Sequence, residues 1–288
     1  MFLPYTYYPL DTKPIPNVKY LRLLDNFNRE IEIPDTVTHI FFGLDYNQPT
    51  HFPPNITHIT FGDAYNQPTR LPPTVTHLTF GARYNQPNTI LPPSITHLTF
   101  GWNYNQPTIL PPRCTHLTFG DYYNQPTILP PSITHLTFSY HYNQPTTLPP
   151  SITHLTFGED YNQPTALPPS ITHLTFGEDY NQPTALPPSI THLTFGKKYN
   201  QPTTLPPSIT HLTFGQDYNQ PVILPPYLEH FTLTGLRGSE KYKDQLLNSR
   251  YLKHINFPDT DIMQKIKINI HNMSKMRNSL TKSCLNLL

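Results

Sequence analysis

From Ile33 to Leu224 one pattern of apolar and polar positions returns every nineteen residues. In the copy that begins at Leu148, apolar side chains stand at Leu148, Ile152, Leu155, Phe157 and Tyr161. Thr153 to Phe157 alternates and is rich in β-formers, which predicts a short strand. Leu155 and Phe157 then face inward, and His154 and Thr156 face outward. Gly158 ends the strand, and Tyr161 is the next inward residue, with Asn162 beside it. Pro149, Pro164 and Pro168 fix φ and lack an N–H, so the return path is expected to be extended or polyproline-like. No stretch of the repeat shows a 3.6-residue apolar period.

The first position of the copy recurs at Ile33, Phe52, Leu71, Leu91, Leu110, Leu129, Leu148, Leu167, Leu186, Leu205 and Leu224. One step, Leu71 to Leu91, is a residue longer, through the insertion in NQPNTILPP. The copies at Leu148 and Leu167 both read LPPSITHLTFGEDYNQPTA. A fixed period near twenty predicts a solenoid in which each coil packs on its neighbours. Its strands would stack in parallel at about 4.8 Å, so eleven would span about 50 Å. The expected fold class is a leucine-rich-repeat-like repeat solenoid. A parallel β-sheet of short strands forms one face, with little helix except near the C-terminus.

The spacing of Ile152, Leu155 and Phe157 resembles the leucine-rich repeat, L-x-x-L-x-L. A sharper resemblance is carried by Tyr46-Asn47-Gln48-Pro49 and its equivalents through Tyr218-Asn219-Gln220-Pro221, set in THLTFGxxYNQPTxLPxSITHL. This looks like the FNIP repeat, named for a Phe/Tyr-Asn-x-Pro core. The degenerate leading copy carries Phe27-Asn28. The resemblance covers residues 15 to 234. It implies an interaction module of the kind found in amoebae and the large viruses that infect them, joined in some members to an F-box. Only 32 residues precede Ile33, and most align as another coil. An F-box and a ubiquitin-adaptor role are therefore not expected.

Four segments follow. Residues 1–32 hold a degenerate capping coil from Ile15, with Val18, Leu21 and Leu23 inward. Residues 33–223 hold ten repeats. Residues 224–258 hold degenerate capping coils with Leu228, Phe231, Leu233, Leu252, Ile255 and Phe257. Residues 259–288 form a basic tail, helical over Asp259–Asn269 or frayed. Ser239–Asn248 reads as a short helix with Ser239 as its N-cap.

Composition changes the picture little. Of 36 prolines, 31 sit in the LPP and NQP corners, so high proline here builds the repeat rather than signalling disorder. The formal net charge is +1 over 288 residues, which favours neither nucleic acid nor membrane as a partner. Residues 33–223 hold five basic and nine acidic side chains, and 236–288 hold ten basic and four acidic. No apolar stretch is long enough to span a membrane, and MFLPYTYYPL is too short and polar for a secretory signal. Cys114 replaces an inward Ile and Cys284 lies in the tail, so no disulfide framework is expected. A reducing compartment follows, the cytoplasm, or the host's if the chain is viral. The triplets Asn55-Ile56-Thr57 and Asn272-Met273-Ser274 are chance without a signal.

Chemistry has few places to live. The outward His column invites a metal-binding reading, for instance at His116, His135, His154 and His173. A stacked polar ladder is favoured, because no Cys, Asp or Glu completes a tetrahedral site. Adjacent imidazolium charges would repel by about 1 kcal/mol per pair at water's dielectric. Their pKa values are therefore expected below 6.5. The Asn column reads as a structural ladder and the Tyr before it as core. A Thr column shared with His is a poor match to an ice-binding array.

Variation concentrates in the two residues after the Gly, from Leu44-Asp45 to Gln216-Asp217. This row predicts a rim, with Trp102, Tyr122 and Tyr140 as anchors for a protein partner and Lys197-Lys198 as a charged candidate. Drift at tolerant loop positions is the competing account. No catalytic constellation and no cofactor motif appears. The expected function is a non-enzymatic interaction scaffold of unknown partner. The alternatives are a structural or ligand- or metal-binding array using the uniform His/Thr face, and a recently expanded repeat with no settled partner.

Overall fold

The computed structural model describes residues 6–8, 17–87, 89–235, 239–256, 263–272 and 275. Ile15, Phe257 and Cys284 lie outside the described residues, as does most of the 259–288 tail. Two compact units divide the chain after Tyr161.

In the first unit the strands are β1 (Thr6–Tyr8), β2 (Tyr20–Leu23), β3 (His39–Phe41), β4 (His58–Thr60), β5 (His77–Thr79), β6 (His97–Thr99), β7 (His116–Thr118), β8 (His135–Thr137) and β9 (His154–Thr156). Each pairs in parallel with the next in sequence. The second unit holds β10 (His173–Thr175), β11 (His192–Thr194), β12 (His211–Phe214), β13 (His230–Leu233) and β14 (His254–Asn256), again parallel neighbours. Register aligns like with like: His58 pairs with His77, Ile59 with Leu78 and Thr60 with Thr79. Each unit is thus a solenoid built from a parallel sheet, with very little helix. The expected strand, Thr153 to Phe157, is shorter in fact. At Thr38 the reason is visible, because one carbonyl accepts the N–H groups of both Thr57 and His58, at 2.9 and 3.1 Å. β1 was not anticipated, since it precedes the first recognisable coil.

Inward positions form columns. Ile152, Leu155, Phe157 and Tyr161 are all essentially inaccessible. Phe rings of successive coils in the first unit lie 5.2–6.1 Å apart, centre to centre. Tyr rings lie 6.1–6.3 Å apart. Both sit in the range that favours offset stacking. Cys114 fills its Ile position without exposure, and burial raises its thiol pKa to about 12.

Where a glycine follows the strand, the backbone runs so close to the previous coil that an added Cβ would collide. A Cβ on Gly120 would stand 1.8 Å from the Gly101 carbonyl oxygen. Ser139 holds the equivalent place in its own coil, buried, with its hydroxyl donating to the Tyr123 carbonyl at 2.5 Å.

The C-terminal region corrects one expectation. Ser239–Tyr242 is a 3-10 turn, and the α-helix proper, α1, is Lys243–Leu247. Its N-cap is Tyr242, with no side-chain cap hydrogen bond, rather than Ser239. The turn leads into α1 continuously, so Ser239 stands a whole turn too early to serve its N–H groups. A second helix, α2, covers 263–272, buries Ile266, and places the Asn269 amide 2.5 Å from the Leu247 carbonyl that ends α1. That helix reaches three residues beyond the expected Asn269.

Candidate interaction surface

The fixed polar side chains are taken up by the neighbouring coil. Within the ladder an Asn accepts, through its Oδ1, the backbone N–H of the next Asn: Asn66 donates to Asn47 at 2.9 Å and Asn105 to Asn85 at 3.0 Å. The Gln that follows donates its Nε2 to the same Asn oxygen, as Gln125 does to Asn105 at 3.0 Å. Ser132 and Ser151 donate to carbonyls of the preceding coil. Tyr hydroxyls pair with the Thr four residues on, Tyr65 with Thr69 at 2.6 Å. That Thr donates to a Gln carbonyl, so the Tyr is the donor.

The His column is a continuous stack within each unit. Rings from His39 to His154 are 4.0–4.2 Å apart and 11–15° from parallel. In the second unit the stack runs from His173 through His192, His211 and His230 to His254. His254 extends the column one coil beyond the expected His230. From His39 to His154 in the first unit and from His173 to His211 in the second, every Nδ1 sits 2.8–2.9 Å from the hydroxyl of the preceding Thr.

Imidazole lone pairs lie in the ring plane. Near-parallel rings therefore aim their nitrogens side by side rather than at one point. Among the described residues no three His, Cys, Asp or Glu side chains are grouped to hold a metal ion. His116, His135, His154 and His173 thus stand as ladder members, with His116–His135 and His135–His154 each stacked at 4.2 Å.

Burial holds the pKa values of His39, His58, His77, His97, His116, His211 and His230 below the usual histidine value. At His58, where it falls to about 4, repulsion by His39, His77 and His97 adds to desolvation. The direction is the expected one. The leading cause is burial, with like charge second.

The rim is different. Its backbone is pinned by a second ladder: Tyr122 N–H donates to the Trp102 carbonyl at 3.0 Å and His141 N–H to that of Asp121 at 3.0 Å. Its side chains are open. Trp102, Tyr122 and Tyr140 are 56%, 50% and 48% exposed. Tyr122 stacks on His141 at 5.2 Å, and Tyr140 meets the same ring edge-on at 4.8 Å. His141 Nδ1 lies 2.8 Å from the Asp160 carboxylate. Lys197 and Lys198 are both exposed on the rim of the second unit, and Lys198 pairs with Asp179 at 2.7 Å.

A further exposed column was missed in the sequence. The residue before each LPP corner also varies, and Ile90, Ile109 and Ile128 on successive coils are 83%, 92% and 92% exposed. The signal was present, since the series His51, Arg70, Ile90, Ile109, Ile128, Thr147, Ala166 disagrees from coil to coil as the rim does.

Among the described residues no helix is long and apolar enough to cross a membrane. A search of curated proteins finds no significant match. Among solved structures, CroV588, a giant-virus protein described as a novel circular LRR protein, is 35% identical with a TM-score of 0.65. The match covers 84% of this chain and 43% of that one. YopM from Yersinia enterocolitica WA-314 is 20% identical with a TM-score of 0.62, over 85% of this chain and 55% of that one. The chain thus spans about half the length of either, and the second likeness speaks for the fold alone. The FNIP Repeat model matches over residues 9–45, 46–83, 65–101, 84–122, 104–141, 123–160, 142–179, 161–198, 180–217 and 199–234, so the chain belongs to the FNIP repeat family.

Proposed function

We propose that the chain is a non-enzymatic scaffold that binds protein partners along its variable rim, with Trp102, Tyr122 and Tyr140 as anchors. One contrast carries the reading. The recurring Ser, Thr, Asn and Gln side chains are hydrogen-bonded to their own or the neighbouring coil, whereas the rim aromatics are half exposed on a backbone that is itself pinned. Exposed Trp and Tyr held on a rigid frame lose little entropy on binding, and they dominate interface energetics.

On the second unit, Lys197 and Lys198 offer a separate charged contact. No cofactor is required. The first unit's rim carries Asp45, Asp63, Asp121, Glu159 and Asp160 against Arg83, which argues against nucleic acid as the ligand. A reducing compartment, the cytoplasm, suits a framework whose described residues hold one cysteine, the buried and free Cys114.

The test is the combined change Trp102→Ala, Tyr122→Ala and Tyr140→Ala, compared with the unchanged protein in affinity capture from native cells. The variant is expected to keep its melting temperature and lose most captured proteins. Retention of every captured protein at full yield would remove the rim as the binding surface.

A further inference from the structure

We infer that Trp102, Asp121 and Tyr140 form a slot for one cationic side chain, a guanidinium or ammonium, presented by a basic protein segment. The inference rests on the rim reading and names the chemistry of the partner. These three residues occupy the first rim position of three successive coils, so aromatic, carboxylate and aromatic follow one another along one line. The coils advance by about 4.8 Å each, which sets the two rings about 10 Å apart at their roots with the carboxylate between them. A planar cation needs about 3.5 Å to a ring face on each side, so small rotations of the two side chains close the slot on it.

The three side chains are held ready and unclaimed. Backbone bonds between coils fix their spacing: Asn103 N–H to Ala82 O at 2.8 Å, Tyr122 N–H to Trp102 O at 3.0 Å, His141 N–H to Asp121 O at 3.0 Å and Asp160 N–H to Tyr140 O at 3.0 Å. The Trp102 and Asp121 side chains make no hydrogen bond, ion pair or ring contact with the described residues. Tyr140 touches only the edge of His141. At the second rim position Tyr122 stacks on His141, and His141 pairs with Asp160.

Charge selects the occupant. On this unit's rim Asp45, Asp63, Asp121, Glu159 and Asp160 face one base, Arg83, which lies two coils before Asp121. The ring faces of Trp and Tyr present negative potential to a cation, and the carboxylate adds a Coulomb attraction that a neutral side chain does not feel. Arginine suits the slot better than lysine, because its guanidinium is flat and weakly hydrated.

Trp102 is the only tryptophan of the chain, so its emission reports on this slot alone. The experiment titrates the full chain at low salt with a Gly-Ser peptide carrying one arginine, and in parallel with the same peptide carrying citrulline, its uncharged isostere. A saturable change in emission is expected with arginine, and binding roughly tenfold weaker with citrulline. Asp121→Asn should weaken the arginine peptide by a similar factor at an unchanged melting temperature, and Tyr140→Ala should weaken it further. Equal binding of the two peptides, an unchanged response in Asp121→Asn, or no response up to about 10 mM would overturn the slot. If the slot fails while the triple alanine variant still loses captured proteins, the rim reading survives without it. If that variant also keeps its proteins, both readings fall.

Discussion

At the scale of single residues, the repeat shows what each fixed letter does where one copy lacks it. Most Tyr hydroxyls donate to a Thr four residues on, but in the last copy Val222 stands in that place. Tyr218 is accordingly the one buried side-chain polar atom without a partner among the described residues. An orphaned buried hydroxyl costs about 1–3 kcal/mol, whereas a satisfied one contributes about 1 kcal/mol. The same deletion should therefore act oppositely at two adjacent coils. Tyr199→Phe removes a hydroxyl paired with Thr203 and should destabilise by about 1 kcal/mol. Tyr218→Phe removes a liability and should be neutral or stabilising by up to about 1 kcal/mol. Urea unfolding of both variants decides, and equal losses would show that the Thr bond contributes nothing. Gly120 gives a third case. An added methyl would meet the Gly101 carbonyl oxygen at 1.8 Å, so Gly120→Ala should destabilise by about 2 kcal/mol or more, read in the same assay.

At the scale of the coil, the His ladder makes stability depend on pH. Imidazoles whose folded pKa lies below 6.5 bind fewer protons folded than unfolded, so acid pulls toward the unfolded chain. Stability should be full above about pH 7 and fall as pH drops from 6.5 toward about 4, the value at His58. At the C-terminal end burial again leads, followed by repulsion from His230 at His211 and from His254 at His230, while Glu229 favours the charge on both and Lys253 opposes it. Glu229 itself loses its bond to Lys253 only below the usual carboxylate range, a separate and more acidic window. Melting temperature should drop by several degrees between pH 7.5 and 4.5, and less so in His58→Gln with His77→Gln. Identical curves at both pH values would defeat the argument.

The coil was also where sequence was most legible. Leu155, Phe157, Tyr161 and the Asn ladder follow from the alternation of faces and the recurrence of type. Three things did not follow. β1 carries no repeat letters and is recruited by pairing with β2. The helix start at Tyr242 is fixed by tertiary contacts rather than by a capping side chain. Ile90, Ile109 and Ile128 look like core by residue type, and only their position just before the LPP corner turns them outward. The rim aromatics were visible as disagreement between copies. Their pinned backbone was not, because carbonyl-to-amide bonds between loops leave no mark on residue type.

At the scale of the molecule, a solenoid must close its open ends, since each coil relies on the next for its ladder bonds. In the second unit the segment after β13 supplies substitutes. Lys241 Nζ donates to the carbonyl and side-chain oxygen of Asn219, at 2.7 and 2.8 Å, where another coil would have placed an Asn N–H and a Gln amide. The Tyr242 hydroxyl donates to the Gln220 carbonyl at 2.8 Å. Gln245 donates to the Val222 carbonyl at 3.1 Å and accepts from the Leu224 N–H at 2.8 Å. Removing Lys241 and Gln245 together, as Lys241→Ala with Gln245→Ala, deletes four such bonds, one pair of them charge-assisted. At about 1 kcal/mol each for the neutral bonds and somewhat more for the charged ones, local opening should become easier by a few kcal/mol. Because contacts run only between neighbours, that loss should stay near the end. Amide exchange should accelerate at Asn219 and Leu224, whose coil the cap covers, and remain unchanged at Asn66 and Asn105. Uniform acceleration along the chain would mean that the repeats unfold as one cooperative body, and that the nearest-neighbour account of this array is wrong.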